Sequence, residues 1–65
     1  MENLIIECGS KTSYAATYEQ YKYLLSFDNV QMNCNVSSFT SRITKSQASE
    51  AIGAAKDGQT VIINR

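Results

Sequence analysis

The chain has 65 residues, in which six Lys and Arg residues balance six Asp and Glu residues, and it contains no His, Pro or Trp. This length allows a single domain, residues 1–65, whose small core leaves no room for a deep substrate pocket. A formal net charge of zero argues against a protein that depends on nucleic-acid phosphates or an anionic membrane surface.

No apolar run approaches the ~20 residues that a membrane-spanning helix needs, and the first residues lack the basic segment of a secretory signal. We therefore expect a cytoplasmic protein without a membrane partner.

A strand is predicted over residues 3–8, a short and mainly aliphatic segment that is followed by the turn residues Gly9-Ser10. A helix is predicted to begin at Thr17, because Thr17 and Gln20 have the spacing of a capping box, and to end near residues 27–29. Its predicted core face consists of Tyr18, Tyr21, Leu24 and Leu25.

Apolar and polar residues then alternate over residues 30–36, which predicts a strand with one apolar and one amide-rich face. Such a strand indicates a sheet that is covered on one side only. Residues 36–41 are predicted to form a Ser/Thr-rich loop anchored by Phe39.

A second capping box, Thr44 with Gln47, predicts a helix that ends at Asp57-Gly58, and residues 60–63 are a last predicted strand. The predicted apolar stripe of this second helix consists of Ala48, Ala51, Ile52 and Ala55. At its start, Ile43 and Ala48 have the spacing of a hydrophobic staple.

The order is therefore β-α-β-α-β. It predicts an α+β domain of two layers, with two helices on one face of a three-stranded sheet in the order 1-2-3, joined by right-handed crossovers. Antiparallel pairing of one strand is the alternative.

Cys8 and Cys34 are too few for a disulfide scaffold. We interpret them as two buried thiols, with a Cys8–Cys34 disulfide between neighbouring strands as the alternative. Zinc is not expected, because two Cys without His cannot supply four tetrahedral ligands. No cofactor is expected.

The two helix starts also match each other, with Thr17 and Thr44 at equivalent positions. This match is explained either by two similarly capped amphipathic helices or by a duplicated helix–strand unit.

Residues 16–24, ATYEQYKYL, resemble the ATxxQxxYL opening of a small uncharacterised module of phage and mobile-element proteins. That module recurs as a tail of single-strand-annealing and recombination proteins. Residues 43–52 are similar to its second half, LTKxEASxxI, with Gln47 in place of the usual acidic residue. The resemblance covers residues 16–57. The resemblance implies an essentially helical fold, in contrast to the strand-like segments of this chain. It implies no catalytic residues, and it implies a phage or mobile-element setting.

No enzymatic activity is expected. With no His, the acid–base candidates are isolated carboxylates and two thiols, and no two carboxylates have helical spacing that pairs them. The three glycines are isolated, so no phosphate-binding loop is predicted.

Tyr23 and Phe27 are one helical turn apart and point away from the predicted core face. An exposed aromatic pair is typical of a protein-binding hot spot, and Glu19 beside it favours a basic partner surface. We interpret the chain as a small protein-binding accessory protein of phage or mobile-element type, in its most concrete form a stoichiometric, anti-CRISPR-like inhibitor of a host defence nuclease.

Two alternatives remain open. The first alternative is a nucleic-acid-associated module that assists recombination or single-strand binding. It is based on Arg42 and Lys45, which flank the start of the second predicted helix, where backbone amides attract anions. The second is a homo-oligomeric structural protein that uses the first-helix aromatic residues or an open edge strand, with a homodimer as its simplest form.

Overall fold

The structure is a computed structural model that describes residues 3–65. It is an α+β fold in which three helices pack on a three-stranded sheet. In chain order the elements are β1 (Asn3–Glu7), α1 (Tyr18–Leu25), β2 (Val30–Met32), α2 (Val36–Arg42), α3 (Lys45–Lys56) and β3 (Thr60–Asn64).

The sheet is parallel throughout, and the last strand lies in its centre: the order is β1-β3-β2. Leu4 and Val30 both lie opposite Val61, and Ile6 and Met32 both lie opposite Ile63. The predicted order 1-2-3 was therefore wrong, and the antiparallel alternative was wrong as well. The central position of β3 matches its burial, since Val61 and Ile63 are completely buried, whereas Leu4 of β1 and Met32 of β2 are only partly buried.

This order has a consequence for handedness. All three helices contribute to one core on one face of the sheet. The chain crosses from β1 past the central position to β2 and then returns to β3, so the two crossovers run in opposite directions over the same face. One of them has to be left-handed, a geometry found in only about 2% of parallel crossovers.

The sheet is covered on one side only, as predicted. Ile6, Val61 and Ile63 on the helix side are buried, whereas Ile5 on the other side is 58% exposed. The open face is polar towards β2, where the side-chain amide of Asn33 donates to Oδ1 of Asn64 at 2.9 Å.

The segment after β2 differs from the prediction. The strand stops at Met32, and the residues predicted as a loop form α2, so the structure has three helices rather than two. Asn35 caps this helix by accepting from the amide of Ser38 at 2.8 Å, and Phe39 is completely buried. The alternation of apolar residues favours a strand up to Val36, but Asn35 has the side chain that begins a helix.

The other two helices begin where the sequence predicts. Thr17 and Thr44 each accept from the amide of the third helical residue, Gln20 or Gln47, whose side chain accepts in turn from the threonine amide. Gly58, which follows α3, has a φ of 86° and takes the left-handed conformation expected after a helix end.

A short antiparallel contact joins the two equivalent helix starts. Ala15 pairs with Thr44, and the amide of Ala16 donates to the carbonyl of Ile43 at 2.6 Å. The amide of Lys45 donates to the carbonyl of Tyr14 at 2.9 Å. The chain entering α1 is thereby fixed to the chain between α2 and α3.

The core lies between the sheet and the helices. Its largest fully buried side chains are Phe39, Leu24, Ile43, Ile63 and Val61. Helix α3 contributes three buried alanines, whose short side chains allow its backbone to approach its neighbours closely.

Two glycine substitutions are expected to change stability in opposite directions. Gly58→Ala should lower the free energy of unfolding by about 1–2 kcal/mol, because an L-residue is strained at positive φ. Gly53→Ala, inside α3 with open space around the new methyl group, should raise it by up to about 1 kcal/mol. Urea unfolding followed by circular dichroism measures both changes. Shifts of the same sign would contradict the described end of α3.

Phe39→Ala tests whether α2 belongs to the core. Truncation of this fully buried ring should cost about 3–5 kcal/mol, a large share of the stability of a chain this small. The matched control is Val36→Ala, at the exposed start of the same helix, for which a change within about 0.5 kcal/mol is expected. A comparably small loss for Phe39→Ala in urea unfolding would contradict the complete burial of Phe39 in the core.

Candidate protein-binding surface

Tyr23 and Phe27 lie side by side at the end of α1, with ring centroids 5.2 Å apart and planes at 55°. Tyr23 is 43% exposed, and Phe27 packs partly against the edge of the core. The two rings therefore form a continuous aromatic surface in which Phe27 supports the more exposed Tyr23.

Helix α3 adds a positive charge to this surface. Nζ of Lys56, the last residue of α3, lies over the Tyr23 ring at 5.7 Å from its centroid, within range of a cation–π interaction. Glu19 is exposed one helical turn before Tyr23. We call Glu19, Tyr23, Phe27 and Lys56 the aromatic face. Glu19 and Lys56 give it charges of both signs, so a purely basic partner is not required.

A second aromatic group lies on the other side of α1. Tyr21 packs edge-on against the buried ring of Phe39, with centroids 5.2 Å apart. Tyr18 stacks on Tyr21 at 6.3 Å but is itself 57% exposed, and Leu25 is exposed as well. The prediction that Tyr18 and Leu25 face the core was therefore wrong. Leu24 is the buried residue of α1, and at ~3.6 residues per turn Tyr18 and Leu25 lie roughly 100–120° around the helix from it.

The basic pair predicted for nucleic acid lies at the corner between α2 and α3. Arg42 ends α2 and Lys45 begins α3, and both are exposed. The amides at the start of α3 are largely occupied, because that of Lys45 donates to Tyr14 and that of Gln47 donates to Thr44. Fewer N–H groups are thus directed at solvent than an uncapped helix start would offer to a phosphate.

The two cysteines lie near each other and both are free thiols. Cys34 is buried and Cys8 is half-buried. Burial, together with the neighbouring Cys8 thiol, raises the pKa of Cys34 to about 11, because both disfavour the thiolate. The interpretation as free thiols is confirmed for both residues, and full burial is confirmed only for Cys34.

Over residues 3–65 the structure contains no pocket, and no three side chains of the types His, Cys, Asp and Glu are placed to hold a metal ion. No helix in this range combines the length and apolar character needed to cross a membrane.

Sequence reasoning found Tyr23, Phe27 and Glu19 from their spacing on one helix, but it missed Lys56. This residue is far away in the sequence and reaches Tyr23 only because the end of α3 packs beside α1. The sequence showed only that Lys56 lies in the last turn of a predicted helix, and this position does not show which residue of another helix it contacts.

Comparisons with protein-family models, with curated proteins and with solved structures found no match to this chain.

Proposed function

We propose that this chain is a non-enzymatic, cytoplasmic protein-binding protein and that the aromatic face is its contact surface. The observation that carries the proposal is the exposed Tyr23 ring, which packs on the Phe27 ring and lies within cation–π range of the Lys56 ammonium group. Tyr residues of this kind dominate the binding energy of many interfaces, since they bury a large area at a small cost in conformational entropy.

The neighbours of Tyr23 support this role. Phe27 and Lys56 restrict the rotation of its side chain before any partner binds, which lowers the entropy lost on binding. Because the described residues form no pocket, the partner would supply the concave side, a groove that receives the Tyr23 ring. Glu19 and Lys56 would then lie at the polar rim, where charges influence the association rate and specificity.

The biological setting proposed is that of a phage or mobile-element accessory protein. In its most concrete form the chain is a stoichiometric inhibitor of a host defence nuclease, for which a small rigid surface without catalytic groups is sufficient. This setting rests only on the resemblance that the sequence of residues 16–57 has to a phage and mobile-element module. Nucleic-acid binding through Arg42 and Lys45 has less support, because the capped start of α3 already uses the amides of Lys45 and Gln47.

The inhibitor form is tested by adding the chain to purified RNA-guided and restriction nucleases and measuring target cleavage. We expect inhibition of at least one nuclease class that saturates at one chain per enzyme. Tyr23→Ala should weaken it about 30-fold or more, the effect of losing a hot-spot residue worth about 2 kcal/mol.

The matched control is Tyr18→Ala, which removes an exposed ring from the opposite side of the same helix and should leave inhibition unchanged. Circular dichroism checks that both variants fold. No inhibition in any class would contradict the inhibitor form, and equal losses for both variants would contradict the aromatic face. A selective loss with Arg42→Ala and Lys45→Ala would favour the nucleic-acid alternative.

Self-association is a second candidate function, favoured by the free edge of β1. The amide of Cys8 donates to Asn64 of β3 at 3.1 Å, and amide direction alternates along a strand, so Asn3, Ile5 and Glu7 direct their backbone groups outwards. A second β1, antiparallel and centred on Ile5, would place Asn3 opposite Glu7 and pair all three outward-facing residues.

Light scattering over a concentration series tests this pairing. A dimer that dissociates on dilution is expected, and Ile5→Lys, at a side chain already 58% exposed, should shift the mass to the monomer by placing two like charges opposite each other. Tyr23→Ala should leave the mass unchanged. A monomeric wild type at all concentrations would contradict self-association through β1.

A further inference from the structure

Three sulfur-containing side chains meet at the carboxyl end of the sheet, on its covered face. Cys8 extends β1 by one residue, since its amide donates to the carbonyl of Asn64 at 3.1 Å. After β2, the amide of Asn33 donates to the carbonyl of Ile63 at 2.8 Å, and Cys34 follows. Cys8, Met32 and Cys34 therefore lie around the end of the central strand.

Their sulfur atoms are close together. The thiol of Cys34 donates to Sδ of Met32, with 3.6 Å between the two sulfurs, and the thiol of Cys8 is near enough to raise the pKa of Cys34. Cys34 is only 5% exposed, whereas Cys8 is half-buried and gives the group an approach from solvent.

We propose that Cys8, Cys34 and Met32 form a binding site for Cu(I). Thiolate and thioether sulfurs are the soft ligands that select this ion. With metal–sulfur bonds of about 2.3 Å, three ligands at the corners of a triangle lie about 4 Å apart, close to the spacing of Cys34 and Met32. The inference is independent of the aromatic face and of the function proposed for it.

A bridging Cu(I) fits the placement of Cys8, Met32 and Cys34 better than a Cys8–Cys34 disulfide does. Cys8 and Cys34 follow strands that are separated by β3, so the strand backbones are about 10 Å apart, whereas the Cα atoms of a disulfide lie within about 7 Å. A bridging metal spans two metal–sulfur bonds instead of one sulfur–sulfur bond, and it also uses Met32, which a disulfide leaves out.

The binding step requires no oxidant or reductant. Cu(I) binds both cysteine sulfurs as thiolates and the Met32 sulfur as a neutral ligand, and the two thiol protons pass to solvent. The metal remains Cu(I), and the site changes from neutral to a single negative charge.

The test is an anaerobic titration of the fully reduced chain with Cu(I) against the chromophoric chelator bathocuproine disulfonate. We expect the chain to remove one Cu(I) per molecule from the chelator while remaining at its metal-free oligomeric mass. Met32→Leu, which conserves volume, should weaken Cu(I) binding about 10-fold or more, and Cys8→Ser should abolish retention in the competition.

Folding of each variant is checked by circular dichroism without metal, and binding is located in the wild type by nuclear magnetic resonance shifts at residues 8, 32 and 34. Three results would overturn the proposal: no transfer of Cu(I), affinity unchanged in Met32→Leu, or Cu(I) bound only between two chains. Conversion to a disulfide with loss of two mass units and without metal retention would overturn it as well.

Discussion

The position of β3 between β1 and β2 is the constraint on which the rest of the structure depends. Among the strands of residues 3–65 only this one is hydrogen-bonded along both edges, and its side chains Val61 and Ile63 lie in the core. The two edge strands do not touch each other, so β1 and β2 are held in place only through the third. The helices follow from this arrangement, since all of them must cover the one apolar face that the three strands share.

The features that could be predicted from the sequence are those that nearby residues determine. The capping boxes at Thr17 and Thr44 and the left-handed Gly58 depend on side chains and backbone within one helical turn, and all three are present. The strand order could not be predicted in this way. It is set by packing between segments that are far apart in the sequence, and the preference for right-handed crossovers favoured a different order.

The predictions for residues 36–41 and for Tyr18 were wrong because both depend on how the helices pack against each other. Alternating apolar residues favoured a strand through Val36, but Asn35 caps a helix whose Phe39 fills the core. Tyr21 packs against Phe39 of α2, and Tyr18 stacks on Tyr21 but stays exposed. A helical wheel shows which residues share a face, but it does not show how many neighbours that face will have.

The candidate sites divide in the same way. Tyr23 and Phe27 were predictable because they are one turn apart on one helix, whereas Lys56 joins them only through packing of α3 beside α1. Likewise, Cys8 and Cys34 were left between two interpretations, and it is the end of the central strand that brings them and Met32 together. Local spacing thus identifies residues that lie on one element, whereas residues on other elements join them only through the topology of the fold.

The order of the strands also affects how the chain folds as it is synthesised. The central strand is the last of the three to be made, so at ~5–20 residues per second roughly 3–12 s pass between the appearance of β1 and that of β3. During this time neither β1 nor β2 has a partner strand, and every native strand contact is long-range. The nascent chain should therefore remain without its sheet until residues 60–64 emerge, and then fold in a single late step.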